Sequence, residues 1–572
     1  MTSNLPLEAP AVSALLVEIG RRLELGGESP FKIRAYYVAA ENLEALSAPL
    51  AEYVAKGKLR TIPGVGEAIA EKIIKLHKTG THPLLDNLRE QLPSGVLEFF
   101  QIPGLGPKKI QLLYSELKLQ SLLELEEACK AGRLKDCKGL GAALEKKILQ
   151  GLEFMRKGQG LRRIDDADAV LNAAVERFKK ANPKMQRVAV AGPLRRGCEV
   201  VDDLCLVAQD GSGEATVPGG PEIRVIVGDE NHYGIKMLFA TGSAEHLHAL
   251  GTFAASVGFK LSADGLWYER GTKRAKGEVF CKDEADVYAA LGLDFIPPEL
   301  REGRALNGAK DEIELAAKHA LPKLVEDADI RGILHSHTVF SDGAETLETM
   351  AEAVRKRGYF YYGVADHSKT AAYAGGMKEE KIREQHKLAD ALNADYAKDK
   401  VNFRIFKGIE SDILDNGALD YADDVLNSFD FIVASVHSRF TLDKEAQTQR
   451  LLNAVAHPRT TILGHATGRL LLKREGYKVD LDAVLQACAK HGVVVEINAH
   501  PARLDVDWRF HQRALELGCM LSINPDAHAI SEIDLTHWGV VVARKGGVPK
   551  ERVLNCLSLD EIAAYFEARK RR

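Results

Sequence analysis

After residue 330 the sequence repeats one device seven times: a short apolar run that ends in a polar cluster. The runs are RGILHSH, YYGVADHS, FRIFKGIESD, FIVASVHS, TILGHAT, VVVEINAH and LSINPDAH. Amphipathic segments such as LETMAEAVRKRG and LDAVLQACAKHG separate most of them. Strand and helix in alternation argue for a parallel α/β barrel, in which chemistry sits at the C-terminal strand ends. All seven clusters fall there, and they are rich in metal ligands. His335 and His337 alternate at one strand end, so both can face one ion, and Asp342 follows them. His367, Glu410, His437 and His465 come from the next four strands, and Asp526 and His528 from the last. A single histidine at a strand end is usually a packed or surface residue, but nine ligands at successive ends do not fit that reading. They suffice for up to three divalent ions, with Glu410 able to bridge two. The imidazole–carboxylate mixture suits Mn²⁺, Zn²⁺ or Fe²⁺ better than Mg²⁺. Arg469 and Arg503 lie on loops just past strand ends. They read equally as contacts to substrate phosphates and as surface salt bridges.

The first third carries a different repeat. TIPGVGEAIAEKI (61–73) and QIPGLGPKKIQL (101–112) share a Gly-apolar-Gly turn before a lysine-bearing helix. A weaker copy, KGLGAALEKKIL, spans 138–149. Gly64 and Gly66, and again Gly104 and Gly106, let the chain turn tightly and present N–H groups at a helix N-terminus, a site for a phosphate oxygen. Lys72, Lys108 and Lys109 on the following turns add a non-specific electrostatic grip on such an anion. The segment FKIRAYYVAAENL (31–43) is a basic, aromatic helix that either faces DNA or buries its rings in a core.

Between these regions run three apolar strands, MQRVAVAG (185–192), DDLCLVA (202–208) and EIRVIV (222–227). Alternation along the second puts Asp203 and residue 205 on one face. Two carboxylates there, with a third on a neighbouring strand, would form a cage for two Mg²⁺ ions.

The order of glycine turns, then GxxRRGxExxxD, then Thr241-Gly242-Ser243, then PPELRE (297–302), resembles the bacterial family X DNA polymerase over nearly all of the chain. The resemblance implies a multidomain fold: an α-helical helix-hairpin-helix N-terminal region, an α+β nucleotidyltransferase-type palm, a thumb, and a C-terminal α/β PHP (polymerase and histidinol phosphatase) domain, a distorted (β/α)7 barrel. The limits expected are 1–85 and 86–160 for two helix-hairpin-helix domains and 161–235 for the palm. They continue with 236–304 for the thumb, 305–328 for a charged linker and 329–572 for the PHP domain. The nine barrel ligands match the family's metal positions, which implies 3′–5′ exonuclease, abasic-site or 3′-end processing.

The palm departs from the family. Its three metal-binding aspartates match Asp203, Cys205 and Glu222. A thiol is a poor ligand for Mg²⁺, and glutamate displaces its carboxylate by about 1.5 Å, enough to cost roughly 10²-fold in rate. The Gly-Ser phosphate loop becomes Gly192-Pro193, which loses a hydroxyl and an N–H. The Tyr-Phe pair before Thr241 becomes Phe239-Ala240, and the asparagine and arginine beyond Ser243 become Leu247 and Gly251. Arg195, Arg196, Glu199, Asp203, Arg224 and Thr241-Gly242-Ser243 keep the pattern. An impaired polymerase site is expected, without intact Mg²⁺, Mn²⁺ or dNTP binding; the alternative is a bifunctional enzyme that still fills gaps. Lys72 matches the family's Schiff-base lysine for 5′-deoxyribose phosphate removal, or is a plain phosphate contact.

Composition narrows the partners. The chain has 572 residues, 45% apolar and 28% charged, with a net charge of −4. No apolar run approaches the ~20 residues that span a bilayer. MTSNLPLEAPAVS lacks the basic-then-apolar pattern of a secretory signal, and eight scattered cysteines suit a reducing cytoplasm. A near-neutral total charge does not exclude nucleic acid, because local basic patches carry that binding. The partners expected are gapped, nicked or 3′-end DNA, no membrane, and no second copy of the chain. A small-molecule phosphatase would leave the glycine turns unexplained, and a purely structural DNA binder would leave the nine ligands unexplained.

Overall fold

The computed structural model describes residues 6–571 except 45, 47–48, 63, 103–104, 211–215 and 270–276. The chain forms two compact units, 1–159 and 160–572.

The first unit is helical. Its glycine turns follow one geometry. Gly64 holds a left-handed φ of 72°, and a Cβ there would lie 2.5 Å from Val38 Cγ1. Gly66 then caps the helix Glu67–Thr79, Gly106 caps Pro107–Ser115, and Gly141 caps Ala142–Lys157. The weak third copy repeats the first, with Gly139 at φ 94°. Gly104 lies outside the described residues. The helix Pro30–Glu44 divides its aromatics: Tyr36 is buried, whereas Phe31 is 87% exposed.

The second unit opens on the short strand Arg162–Arg163, antiparallel to Val200–Val201, and then the helix Ile164–Ala181, which buries Ile164, Ala167, Leu171, Ala174 and Phe178 at helical spacing. Three strands follow: β1 (Gln186–Ala191), β2 (Cys205–Gln209) and β3 (Arg224–Gly228). β2 lies between the others, antiparallel to β1 and parallel to β3. Both β2 and β3 start later than the apolar runs suggest, so Asp203 and Glu222 sit ahead of the ladder that pairs Cys205 with Arg224. The face shared by Asp203 and residue 205 is therefore not set by strand alternation.

Helices Tyr233–Thr241, Ala244–Ser256 and Glu284–Leu291 surround a meander of β4 (Phe259–Ser262), β5 (Gly265–Tyr268) and β6 (Glu278–Val279). The segment 305–328, expected as a linker, is instead part of this core. Leu306, Ile313, Leu315, Ala316 and Leu324 are buried with Leu250 and Tyr288. Its charges serve the packing: Asp311 caps the helix Glu312–Ala317, and Glu312 accepts from His246 Nδ1 at 2.7 Å.

The rest is a seven-stranded parallel sheet in chain order: β7 (Gly332–Ile333), β8 (Tyr361–Val364), β9 (Arg404–Asp412), β10 (Phe431–Ser435), β11 (Ile462–Leu463), β12 (Val494–Asn498) and β13 (Leu521–Asn524). A parallel bridge between Ser336 and Ala527 nearly closes it into a barrel. The strands are buried on both faces, which explains their unbroken apolar runs. Gly408 is required where the interior is tightest, since a Cβ would lie 2.3 Å from Phe431 Cζ.

The segments around Glu199 and Glu302 are tied to the barrel by buried and part-buried polar contacts. Glu199 accepts from Trp508 Nε1 at 2.8 Å and from Arg509 Nη1 at 2.6 Å. Lys545 Nζ donates to Arg196 O at 3.1 Å and to Glu302 Oε1 at 2.5 Å.

Candidate metal centre and palm site

The parallel strands carry all nine expected barrel ligands to one end of the sheet, where five of the histidines gather around Glu410. His335 Nε2 and His437 Nε2 each lie 3.2 Å from Glu410 Oε1, and His465 Nε2 lies 3.0 Å from it. His367 Nδ1 is 2.8 Å and His337 Nε2 3.8 Å from Glu410 Oε2. Asp526 Oδ1 stands 3.0 Å from His337 Nε2 and 3.5 Å from His335 Nε2. Asp342 completes the rim, 3.6 Å from His367 Nε2 and 3.5 Å from His528 Nε2. Three overlapping groups have donor atoms close enough to share an ion: His337–Asp342–His367–His528, His335–His337–Asp526, and His367–Glu410–His437. His465 joins only through Glu410.

The donor set fits divalent cations. His335 Nε2, His337 Nδ1, His367 Nδ1, His465 Nδ1 and Glu410 Oε2 are buried without a well-formed hydrogen bond. Buried polar atoms are rarely left so unless an ion or water serves them. The ionisable groups of the cluster act strongly on one another. Burial opposes a charged Glu410, yet the imidazoles of His437, His367 and His335 hold its carboxyl well below the usual range. Burial likewise opposes a charged His437, but Glu410 and Asp412 push it up to about 10. Burial keeps His337 well below the usual imidazole value, helped by His528 and His367, so it is neutral and has a lone pair to give. The backbone is strained at this end: His335, His465 and Asp526 have φ of 54°, 24° and 54°, in the left-handed region that L-residues avoid.

Two carboxylates behind the cluster escaped the sequence reading. Glu496, fully buried on β12, accepts from His335 Nδ1 at 2.5 Å, His465 N at 2.7 Å and Asn524 Nδ2 at 2.9 Å. Asp412 accepts from His437 Nδ1. Each fixes the tautomer that leaves Nε2 facing the cluster. For Glu496 the signal was present as a charged residue inside an otherwise apolar strand, whereas Asp412 ends a strand with charged residues of its own. Asp366 is a third such group: it accepts from Thr338 N at 2.8 Å and from Thr338 Oγ1 at 2.6 Å, holding the loop that leads to Asp342.

The two arginines divide. Arg503 lies beside the cluster, its Nε 3.6 Å from Asp526 Oδ2. Arg469 is not available to a phosphate. It donates to Asp507 Oδ2 at 2.6 Å, to Arg503 O at 2.9 Å and to Leu504 O, so it clamps the loop that bears Arg503.

In the palm, Gly192 is left-handed, at φ 73°, against Cys205 and Asp203. Cys205 is fully buried, and burial pushes its thiol up to about 11. Asp203 is held by Arg224 Nη2 at 2.5 Å, and Glu222 is exposed ahead of β3. Arg195 bonds Thr241 Oγ1 at 3.0 Å and Glu284 Oε1 at 2.9 Å; Arg196 bonds Glu302 Oε1 at 3.0 Å and Thr241 O at 2.6 Å. Gly242 and Ser243 form the elbow between two helices, with Ser243 Oγ accepting from His246 N at 3.0 Å. Among the described residues, no group of three potential metal ligands forms here. On the glycine-turn helices Lys108 is exposed, and Lys72 and Lys109 are partly so.

Family models match in the same order: a helix-hairpin-helix domain at 8–82, a SAM-like helix-hairpin-helix tandem at 96–153, a DNA polymerase beta thumb at 236–302 and a PHP domain at 334–500. The Bacillus subtilis protein named DNA polymerase/3′-5′ exonuclease PolX is 33% identical over 97% of this chain and 98% of its own length. Two further relatives match a smaller share of the chain. Probable phosphatase TTE1963 of Caldanaerobacter subterraneus is 26% identical over 42% of this chain and 91% of its own length. Probable phosphatase PBPRB2022 of Photobacterium profundum is 28% identical over 38% of this chain and 87% of its own length.

Proposed function

The chain belongs to the bacterial family X DNA polymerases that carry a C-terminal PHP domain, and from that premise we propose that its chemistry is concentrated in the barrel. It is a DNA-binding repair enzyme with a divalent-metal PHP domain. Our reading is more specific. The barrel hydrolyses phosphodiesters at 3′ ends of gapped or nicked DNA, and the palm is mainly a scaffold. The gathering of nine candidate ligands at one end of the barrel, several with buried donor atoms that lack a well-formed hydrogen bond, carries this reading.

In it, His335, His337, Asp342, His367, Glu410, His437, His465, Asp526 and His528 hold up to three ions of Mn²⁺, Zn²⁺ or Fe²⁺. Bound cations supply Lewis acidity and offset phosphate charge in hydrolysis. The protein's own part is orientation. Glu496 and Asp412 keep protons on Nδ1 of His335 and His437. Arg503 meets a phosphate oxygen. Burial of His335, His337, His367, His465 and Glu410 strengthens the charge interactions among them. The glycine turns hold DNA backbone through helix N-termini, with Lys72, Lys108 and Lys109 alongside.

Impaired polymerisation is supported by the protonated Cys205 thiol where the family has a metal-binding aspartate, and by Glu222 standing exposed ahead of β3. The second reading, a working polymerase beside the nuclease, is favoured by the paired activities in the name of the Bacillus subtilis relative and by the retained Asp203. A 5′-labelled primer in a gap, incubated with Mn²⁺ and all four dNTPs, separates the two. Wild type is compared with His437→Ala, which removes trimming that could hide extension. Shortening by wild type, with extension by neither protein, is the outcome expected. Extension by His437→Ala would establish the bifunctional enzyme, and a primer left intact by wild type would remove the nuclease.

A further inference from the structure

Beside the metal centre one large side chain is left in solvent. Tyr373 is 71% exposed, yet its ring centroid lies 6.2 Å from that of His367 and 6.4 Å from that of His437. The rings meet at 58° and 67°, so neither histidine lies flat on the phenol. The charges of Glu410, Asp412, Asp342 and Arg503 all act on it.

The ring is not on a loose tip. It occupies the centre of the 3-10 turn Ala372–Ala374. Met377 N donates to His367 O at 2.8 Å, Gly376 N to Ala371 O at 3.1 Å, and Thr370 N to Asp420 Oδ2 at 2.6 Å. Tyr421 Oη donates to Met377 O at 2.5 Å from below. Gly376 has no room for a side chain, since a Cβ would lie 2.0 Å from Ser368 O. The loop thus presents an apolar face at a fixed place, with little ordering left to do on binding. A phosphodiester at the cluster brings its own nucleobase to the rim, and a base stacks on an aromatic ring whatever its identity.

We propose that Tyr373 is the stacking platform for the nucleobase of the 3′-terminal nucleotide whose phosphodiester lies at the cluster. The inference rests on the phosphodiesterase reading of the barrel. It makes Tyr373 a residue that selects ends carrying a base over abasic ends, and a positioning residue for every base alike.

The test uses full-length protein and two primers, one ending in a normal nucleotide and one in a tetrahydrofuran abasic residue. Tyr373→Ala should raise KM for the normal end roughly five- to hundred-fold with kcat nearly unchanged. It should leave the abasic end almost unaffected, and Tyr373→Phe and Tyr373→Trp should restore wild-type KM. An unchanged KM on the normal end would overturn the proposal. So would an equal rise on both ends, or a rise that follows the penultimate base. A second readout needs no hydrolysis: 2-aminopurine at the 3′ end, bound to His437→Ala protein, should be quenched, and Tyr373→Ala should relieve the quenching. Quenching relieved in this way, together with a wild type that hydrolyses neither end, keeps the platform and removes the phosphodiesterase. Hydrolysis without such quenching does the reverse.

Discussion

His335 Nδ1 stands 2.5 Å from Glu496 Oε1, and that contact turns Nε2 of His335 toward Glu410. A candidate ligand from the first barrel strand is thus aimed by a carboxylate from the sixth. Glu496→Gln keeps the volume but loses the charge that fixes the tautomer. Metal affinity or nuclease activity should fall about 10–100-fold, with the circular dichroism spectrum unchanged. Metal content of the purified variant is the direct readout, and a content and activity equal to wild type would remove the orienting role.

The two arginines should separate on different axes. Arg503→Ala should raise KM for DNA with little change in Tm. Arg469→Ala removes hydrogen bonds to Asp507 and two carbonyls inside the fold, and should cost about 1–3 kcal/mol of stability. KM for whatever remains folded should change less than in Arg503→Ala. Paired thermal melts and steady-state kinetics decide; an Arg469→Ala protein of normal Tm and raised KM would return Arg469 to the substrate.

His511 gives the fold a pH dependence. It is fully buried, and burial depresses its imidazole to about 4. Folded and unfolded states are both neutral above the ordinary histidine pKa. As pH falls below it, the unfolded chain takes up a proton that the folded one refuses. Stability is therefore complete above about pH 6.5 and drains away toward pH 4, by about 2 kcal/mol at pH 5 from this residue. Urea melts of wild type and His511→Gln at pH 7 and pH 5 should show the larger acid loss in wild type. Equal losses would mean that His511 titrates normally in the fold.

Glu199 joins palm to barrel through Trp508 and Arg509. Glu199→Gln should lower the Tm by an amount that corresponds to about 1–3 kcal/mol, a range kept low because the Arg509 side chain is 47% exposed. Heat inactivation of the nuclease should shift in step, although Glu199 is not part of the metal cluster. Inactivation that stays put while the palm melts earlier would show that the joint transmits nothing.

The barrel was legible because its strands are buried on both faces and so appear as unbroken β-branched and apolar runs, with ligands where the runs end. Glu496 and Asp412 were not, because the sequence does not say whether a carboxylate in such a run binds an ion or aims a histidine. Arg469 and Arg503 looked alike on paper; only the carbonyls folded around Arg469 distinguish them. The charged stretch 305–328 read as a linker because its acids cap and pair within a core that its apolar residues help to build. In the palm, the strands begin two or three residues later than their apolar runs, and that offset placed Asp203 and Glu222 outside the ladder.

The left-handed backbone at His335, His465 and Asp526 has a consequence for anyone breeding hardier forms of this enzyme. Each of the three carries a conformational penalty of roughly 1–3 kcal/mol, which glycine would relieve while deleting a ligand donor. A screen that rewards heat resistance alone would therefore be drawn to these positions and would empty the metal centre. Only a screen that also demands turnover would leave them in place.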